Sequence, residues 1–263
     1  MKAPSFAYAK PRTLAEALEL LARHGEGARI LAGGQSLIPS LNMRLSSPEI
    51  LIDITGLPGL NEIRSSGKSV KIGALVTHSQ IEKSAEIKKH VPLLAQAVPH
   101  IAHAAIRNRG TLGGSLALAD PAAEYPACAV ALQATIVISN TKGERRVKAE
   151  NFFQGLFETD LKQGEILTAA EFPSGGKSAF LELTRRHGDY AIIGLAAHES
   201  RCVFFNAGPR PVLVSMRKSL DETKAAAMKE LDPPADLYNS SATKKHLAGV
   251  LLERAWTTLS TSH

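Results

Sequence analysis

The sequence is poor in cysteine and in long apolar runs. Its two cysteines, Cys128 and Cys202, lie far apart, so they form neither a disulfide framework nor the closely spaced ligands of a zinc site. No apolar run approaches the ~20 residues that a membrane-spanning helix needs, and the first ten residues lack the apolar core of a secretory signal. We therefore expect a cytoplasmic protein with no transmembrane segment and no metal site of its own.

The chain is also poor in aromatic residues, although it is basic. Its net charge is +6 and its pI is about 9.3, which alone would suggest a nucleic-acid partner. However, the longest basic clusters are pairs such as Arg145-Arg146 and Arg185-Arg186, and aromatic residues make up only 5% of the chain. Single-stranded nucleic acids bind to aromatic stacking surfaces, and these are scarce here. An ordinary basic surface, or one that meets an acidic partner, is the better interpretation.

Several familiar catalytic patterns are missing as well. The sequence has no G-x-x-x-x-G-K-[ST] phosphate loop, and no G-x-G-x-x-G follows a strand. No serine lies in the G-x-S-x-G pattern of esterases. His100 and His103 are close enough to share a ligand on a helix, but no neighbouring acidic residue or cysteine completes a metal site.

The local patterns that are present predict a mixture of helices and strands. Thr13 and Glu16 form a possible capping box for a helix that ends at Gly25, and Thr77 and Gln80 open a second helix, which we extend to His90. Strands and helices do not alternate regularly, which favours the α+β class over a doubly wound sheet. The glycine-rich segment 173–178 is the best candidate for a linker, and two helices are predicted to close the chain.

The stretch RILAGGQSLIP, Arg29–Pro39, places two glycines between a strand and a helical segment. Glycines let backbone amides approach a ligand, and successive amides in a turn form an anion-binding nest. Gln35 and Ser36 could add side-chain bonds to a phosphate. A plain turn is the alternative, and this stretch alone favours it.

A second glycine pair occurs in GTLGGSLALADPAAE, with Thr111 and Ser115 on its flanks and Asp120 and Glu124 beyond. Two such loops could hold two phosphates or both sides of one pyrophosphate, and a carboxylate could accept hydrogen bonds from ribose hydroxyls. In RRHGDYA, a turn could aim Tyr190 at a ring, although an ordinary hairpin aromatic explains these residues equally well.

Together, ILAGGQSLIPSLNMRL, LIDIT, IAHAAIRNRGTLGGSLALADPAAEYPA, GEIL, RRHGDYA and LAGVLLERA resemble the FAD-binding medium subunit of the molybdenum hydroxylases, the group of carbon monoxide, xanthine and nicotine dehydrogenases. The resemblance covers nearly the whole chain. It implies an α+β fold with a diglycine-loop FAD-binding domain over residues 1–174, in two parts that meet near residue 56. A C-terminal domain over residues 175–263, with a three-stranded antiparallel sheet and helices, would follow.

The resemblance also implies a cofactor site and no catalytic acid or base on this chain. The residues that match the family's FAD contacts are Ala32, Gly33, Gly34, Gln35, Ser36 and Leu37 for one side of the pyrophosphate, Thr111, Gly113, Gly114 and Ser115 for the other, Glu124 for the ribitol or ribose, Ile101 and Leu167 near the flavin or adenine, and Tyr190 against the isoalloxazine. Two positions depart from the pattern: Leu118, where many relatives have histidine, and Glu182, where some have lysine.

The implied complex is a dimer of heterotrimers. A large subunit would carry the molybdenum–pterin cofactor, a small subunit two [2Fe–2S] clusters, and this chain would pass electrons from its flavin to an external acceptor. A stand-alone flavin oxidase or reductase of the related fold, or a basic scaffold whose glycine loops are only turns, are the alternatives. The substrate pocket would lie on another chain, so this sequence does not select the substrate.

Overall fold

The computed structural model describes residues 2–261, which form eleven α-helices and fourteen strands. The helices are α1 (Leu14–His24), α2 (Leu37–Asn42), α3 (His78–Lys83), α4 (Ala85–His90), α5 (Pro92–Ala97), α6 (Ala104–Arg107), α7 (Leu112–Leu118), α8 (Glu124–Ala131), α9 (Ala149–Phe152), α10 (Leu220–Glu230) and α11 (Ser241–Thr261). The strands are β1 (Ala7–Ala9), β2 (Ala28–Leu31), β3 (Ile50–Asp53), β4 (Ile63–Ser65), β5 (Ser69–Gly73), β6 (Thr135–Asn140), β7 (Gly143–Lys148), β8 (Phe153–Gly155), β9 (Glu158–Thr159), β10 (Ile166–Pro173), β11 (Ser178–Leu183), β12 (Ile193–His198), β13 (Arg201–Phe205) and β14 (Val212–Ser215).

The N-terminal part is a small parallel sheet of order β1-β3-β2, covered by α1. Helix α1 begins and ends as predicted. The Thr13 hydroxyl accepts a hydrogen bond from the Glu16 amide at 3.1 Å, and Gly25 ends the helix with a φ of 53°, a left-handed conformation that suits glycine. The capping box is incomplete, because the Glu16 carboxylate accepts from the Arg12 amide and not from that of Thr13.

The central part is a five-stranded antiparallel sheet of order β4-β5-β10-β6-β7, against which helices α3 to α8 build the largest apolar core. The capping box of Thr77 and Gln80 is confirmed. The predicted single helix from His78 to His90 is wrong, because it divides at Ser84. Ser84 adopts an extended backbone and caps α4 by accepting a hydrogen bond from the Ile87 amide at 3.2 Å.

The segment that contains and follows the second glycine pair forms two short helices, α7 and α8. Ala119 ends α7 in the left-handed conformation, with a φ of 53°, and Asp120 and Pro121 separate it from α8. Proline has no amide to continue the helical hydrogen bonds, so a new helix starts three residues later. This break matters for the site because it brings Asp120 and Glu124 to the wall of the same cavity.

The C-terminal part contains a four-stranded antiparallel sheet of order β11-β12-β13-β14, packed against α10 and α11. The three-stranded sheet implied by the resemblance is therefore wrong by one strand. The additional strand is β14, whose Val214 pairs with Cys202 and is buried in the apolar cluster below α11. Separate antiparallel sheets packed against helices, without regular alternation of strand and helix, confirm the α+β class.

The segment predicted as a linker, residues 173–178, is held by hydrogen bonds. Gly175 and Gly176 have φ values of 83° and 85°. The amide of Ser174 donates to the Lys68 carbonyl at 3.0 Å, and that of Gly175 donates to the His90 carbonyl at 2.8 Å.

The domain boundaries themselves stay predictions, and residues 262–263 lie outside the described part of the chain. Within residues 2–261, no helix is long and apolar enough to cross a membrane.

Candidate functional site: a cavity between two glycine loops

A cavity of about 740 Å³ lies between the two glycine loops. Its volume is within the roughly 300–1,000 Å³ that is usual for sites of small ligands and cofactors. All fourteen residues predicted to contact a cofactor line it: Ala32, Gly33, Gly34, Gln35, Ser36, Leu37, Ile101, Thr111, Gly113, Gly114, Ser115, Glu124, Leu167 and Tyr190. These residues come from six separate stretches of the sequence, which the fold brings together around one cavity.

The first glycine loop follows β2 and leads into α2. Gly34 has a φ of 74°, which favours glycine, and its carbonyl accepts from the Ile38 amide at 3.0 Å. The amides of Gly33, Gly34, Gln35 and Ser36 donate no hydrogen bond to any atom of residues 2–261. A run of unpartnered amides at a cavity wall is the arrangement that binds an anion such as a phosphate.

The second glycine loop uses its amides differently. Three consecutive amides donate within the protein: Leu112 to the Val76 carbonyl at 3.0 Å, Gly113 to the Ala74 carbonyl at 2.9 Å, and Gly114 to the Thr111 hydroxyl at 3.1 Å. Gly113 lets α7 approach β5 closely, because a Cβ there would lie 2.5 Å from that of Ala74. This loop therefore offers the cavity an open surface at the exposed Gly114, not a second set of free amides.

Ser115 adds a polar group beside this surface. Its hydroxyl lines the cavity and has no hydrogen-bond partner among the described residues. A Cβ at Gly114 would approach only the Thr111 hydroxyl oxygen, at 3.0 Å, so the rest of its surroundings is open. FAD fits these features, because the free amides, the Ser115 hydroxyl and the bare backbone at Gly114 can all approach a pyrophosphate group.

Two carboxylates line the cavity beyond the second loop. Burial raises the pKa of Asp120, whose carboxylate accepts a hydrogen bond from the Ala122 amide at 2.9 Å. Burial, and then the charges of Glu182 and Asp120, raise the pKa of Glu124 to about 8. Glu124 is therefore largely protonated at neutral pH, so that it can donate one hydrogen bond and accept others, as contacts to hydroxyl groups require.

The RRHGDYA segment forms one side of the cavity mouth. Gly188 has a φ of 86° and lies on the backbone of Ala102, since a Cβ there would be 2.7 Å from the Ala102 carbonyl oxygen. This contact places Tyr190 at the mouth, where the residue is 73% exposed. Ile101 and Leu167 supply apolar wall, and Leu167 borders an irregularity in the pairing of β10 with β6. An exposed aromatic face above apolar walls suits a planar ring.

The two departures from the family pattern have different surroundings. Leu118 lines the cavity. Glu182 does not appear in the cavity wall formed by the described residues: it lies on β11 with only 2% of its side chain exposed, and its Oε1 is 3.7 Å from Nδ1 of His100. The other oxygen, Oε2, is buried without a hydrogen-bond partner. Its charge nevertheless contributes to the raised pKa of Glu124.

Other wall residues were not predicted from the sequence. His78 is buried beside Tyr125, and burial, followed by the charge of Arg107, lowers its pKa to about 4. Phe157, Leu161 and Glu165 also line the cavity. Only Glu165 lay in a recognised motif, GEIL, and no local pattern indicates that these residues face a ligand.

Among residues 2–261, no group of three or more histidine, cysteine or acidic side chains could hold a metal ion.

Comparison with known proteins agrees with this geometry. Residues 4–175 match the family model of the FAD binding domain in molybdopterin dehydrogenase. The chain is 37% identical to the 6-hydroxypseudooxynicotine dehydrogenase complex subunit alpha of Paenarthrobacter nicotinovorans, over 97% of this chain and 94% of that protein. It is 34% identical to the glyceraldehyde dehydrogenase medium chain of Sulfolobus acidocaldarius, over 97% and 99% of the two chains.

A solved structure shares the whole fold. A chain of carbon monoxide dehydrogenase from Hydrogenophaga pseudoflava, in a form that lacks the molybdenum–pyranopterin moiety of its cofactor, superimposes with a TM-score of 0.93. The two chains are 32% identical, and the match covers 98% of each. Agreement over almost the full length of both chains includes the C-terminal sheet as well as the segment that contains the cavity.

Proposed function

The chain belongs to the family of FAD-binding domains in molybdopterin dehydrogenases, and from this premise we propose that it is the electron-transfer subunit of a multi-subunit molybdenum hydroxylase. In this role it accepts electrons from [2Fe–2S] clusters on a partner subunit and passes them to an external acceptor. The chain is an oxidoreductase subunit, as its named relatives are.

The observation that carries this proposal is the convergence of the fourteen predicted residues on one cavity. In our assignment, the free amides after β2 hold the pyrophosphate, assisted by the second loop and the Ser115 hydroxyl. Glu124 contacts ribitol or ribose hydroxyls, while Ile101 and Leu167 border the apolar rings. Tyr190 lies against the isoalloxazine. When bound, FAD supplies the redox chemistry, and the protein supplies binding, orientation and electrostatics.

The partners follow from what the relatives are called. One is a medium chain and another a subunit of a complex, which supports a large molybdenum–pterin subunit, a small iron–sulfur subunit and a dimer of heterotrimers here as well. The cytoplasmic location stays a prediction. The relatives' names refer to a nicotine derivative, an aldehyde and carbon monoxide, so membership of the family does not identify the substrate. The substrate would be selected by the partner subunit that carries molybdenum.

The test is the FAD content of the purified chain and of two aspartate variants. We expect wild type to bind about one FAD per chain and to release it on denaturation. Gly114→Asp should lose FAD, because its carboxylate enters open space beside the pyrophosphate. Gly249→Asp is the matched control: it makes the same change on α11, outside the cavity, where a Cβ meets no atom within 4 Å.

Failure of the wild-type chain to bind FAD after reconstitution would contradict the proposal. Retention of FAD by a folded Gly114→Asp variant would contradict the assignment of the second loop. Oxidation of an organic substrate by the isolated chain, without a molybdenum partner, would instead support the stand-alone flavin enzyme.

A further inference from the structure

One part of the cavity wall has no role in the assignment above. It is formed by residues 156–165, which we call the outer wall, and Phe157, Leu161 and Glu165 of this segment line the cavity. Little regular structure supports it, since only the two-residue strand β9 lies within it. Phe157, at the tip of the hairpin formed by β8 and β9, has a φ of 54°, which is uncommon for a bulky side chain and requires support from its surroundings.

Arg145 on β7 binds the stretch that follows Phe157 through four hydrogen bonds. Its Nη1 donates to Oδ2 of Asp160 at 2.6 Å, and its Nη2 donates to the Asp160 carbonyl at 2.6 Å. Its Nε donates to Oε1 of Glu165 at 2.8 Å, and its Nη2 also donates to Oε2 at 2.6 Å. One planar guanidinium thus binds both ends of a six-residue stretch of the outer wall, a fork geometry that lysine does not offer.

The Glu165 carboxylate depends on this contact more than an exposed one would. Only 5% of the Glu165 side chain is exposed, and the hydrogen bonds from Arg145 are the first cause of its lowered pKa. The Lys162 amide donates to Oε2 at 2.8 Å, which curls the chain around the carboxylate. Without the guanidinium, a nearly buried negative charge would remain in the cavity wall, and such a charge must move, take up a proton or distort its surroundings.

We propose that Arg145 is a positioning residue for the cofactor: by bridging Asp160 and Glu165, it holds the outer wall in the conformation that closes the FAD cavity. This inference rests on the proposed function and adds a residue outside the cavity wall to it. Arg145 does not touch the cavity itself and acts through the segment that does.

The adjacent arginine is a close control. Successive side chains of a strand point to opposite faces, and Arg146 forms ion pairs with Glu171 and Glu144 on the face away from Arg145. Neither of these partners lines the cavity. Arg145→Met and Arg146→Met therefore remove the same charge, from neighbouring positions of one strand, and break ion pairs in both cases, but only the first releases the outer wall.

The experiment is a titration of the full-length apo-chains with FAD, followed by flavin fluorescence, with the visible circular dichroism of the bound flavin and the thermal unfolding of each apo-chain measured in parallel. We expect Arg145→Met to raise the Kd for FAD at least tenfold and to change the flavin dichroism. Arg146→Met should stay within twofold of wild type. Arg145→Lys should fall between them, since it keeps the charge and loses the fork.

Equal Kd values for Arg145→Met and Arg146→Met, at similar unfolding temperatures, would overturn the inference. If Arg145→Met does not fold, Asp160→Asn replaces it, because this variant loosens one end of the bridge and leaves the Glu165 contact in place. A threefold or greater rise in Kd then supports the inference, and an unchanged Kd overturns it. If wild type itself binds no FAD, the proposed function fails and not this inference alone.

Discussion

Gly33 lies so close to Arg109 that a Cβ on Gly33 would be 2.2 Å from the Arg109 carbonyl oxygen and 2.8 Å from its carbonyl carbon. Gly110, which follows, would be 2.9 Å away at its Cα. The first glycine loop therefore rests directly on the backbone that leads into the second. One glycine of the first pair thus sets the distance between the two loops, and with it the width of the cavity that both of them line.

This contact predicts the behaviour of Gly33→Ala. The neighbouring atoms are backbone, so they yield less readily than the end of a flexible side chain, and overpacking of this kind costs about 1–3 kcal/mol. We expect that loss in the free energy of unfolding of the apo-chain, measured by denaturant titration, together with a rise of tenfold or more in the Kd for FAD.

Gly249→Ala is the matched control for this variant. Because Gly249 is helical and a Cβ there meets nothing within 4 Å, alanine should stabilise the chain by roughly 0.5–1 kcal/mol and leave FAD binding unchanged. A Gly33→Ala chain as stable as wild type, with wild-type affinity for FAD, would show that the two loops can separate at little cost.

The sequence was sufficient to predict much of this cavity, because its signals are local. A diglycine after an apolar strand, and a capping threonine before a helix, are patterns of a few adjacent residues. The use of the amides was not predictable. The two glycine pairs look alike, but Ala74 and Val76 accept hydrogen bonds from the second loop, and their proximity depends on how the chain folds between β5 and α7.

The outer wall could not be predicted either, because it depends on contacts between residues that are distant in the sequence. Phe157 and Leu161 are ordinary apolar residues near a hairpin, and they line the cavity on either side of Asp160, which Arg145 binds from another strand. The break at Ser84 was missed for a related reason. The sequence from His78 to His90 has continuous helical character, and a single serine that adopts an extended backbone divides it.

Replacement of Glu124 by glutamine should change the pH dependence of FAD binding. The pKa of Glu124 is raised to about 8, so the carboxyl is neutral at pH 7 and becomes charged as the pH passes 8. A negative charge beside the anionic cofactor weakens binding, so the wild-type Kd should rise roughly three- to tenfold from pH 7 to pH 9. In Glu124→Gln, which keeps a carbonyl acceptor, the Kd measured by fluorescence titration should change little over this range.

The Glu124 carboxyl also affects the stability of the fold. The direction of this effect follows from the difference between its pKa in the folded and in the unfolded chain. A carboxyl whose pKa is higher in the folded than in the unfolded state stabilises the fold when it is protonated. That contribution is complete below the unfolded value of 4.5 and is lost as the pH rises towards 8. The free energy of unfolding of the wild-type apo-chain should therefore fall from pH 5 to pH 8 relative to that of Glu124→Gln. Parallel curves for the two chains would exclude the raised pKa.

His78 should give the free energy of unfolding the opposite dependence on pH, in a lower pH range. Its folded pKa of about 4 is below the ordinary value of 6.5, so the unfolded chain binds more protons between these values and stability falls as the pH falls through this window. His78 contributes roughly 2–3 kcal/mol to this loss. His78→Phe, which keeps a ring against Tyr125, should flatten the dependence of the free energy of unfolding on pH between pH 7 and pH 4, measured by denaturant titration beside wild type. Equal slopes for the two chains would contradict the assignment.

Tyr190 is the residue for which the sequence left a ligand contact and a plain hairpin aromatic equally open. Tyr190 is 73% exposed and lies at the mouth of the cavity, so removal of its side chain should cost little folding energy. A stacked aromatic pair contributes about 0.5–1.5 kcal/mol, which corresponds to a roughly two- to tenfold rise in the Kd for FAD in Tyr190→Ala. Tyr190→Phe keeps the ring face and should bind FAD with nearly wild-type affinity and the same visible dichroism of the flavin. If alanine and phenylalanine give the same Kd, Tyr190 is a surface residue of the hairpin and the isoalloxazine lies elsewhere in the cavity.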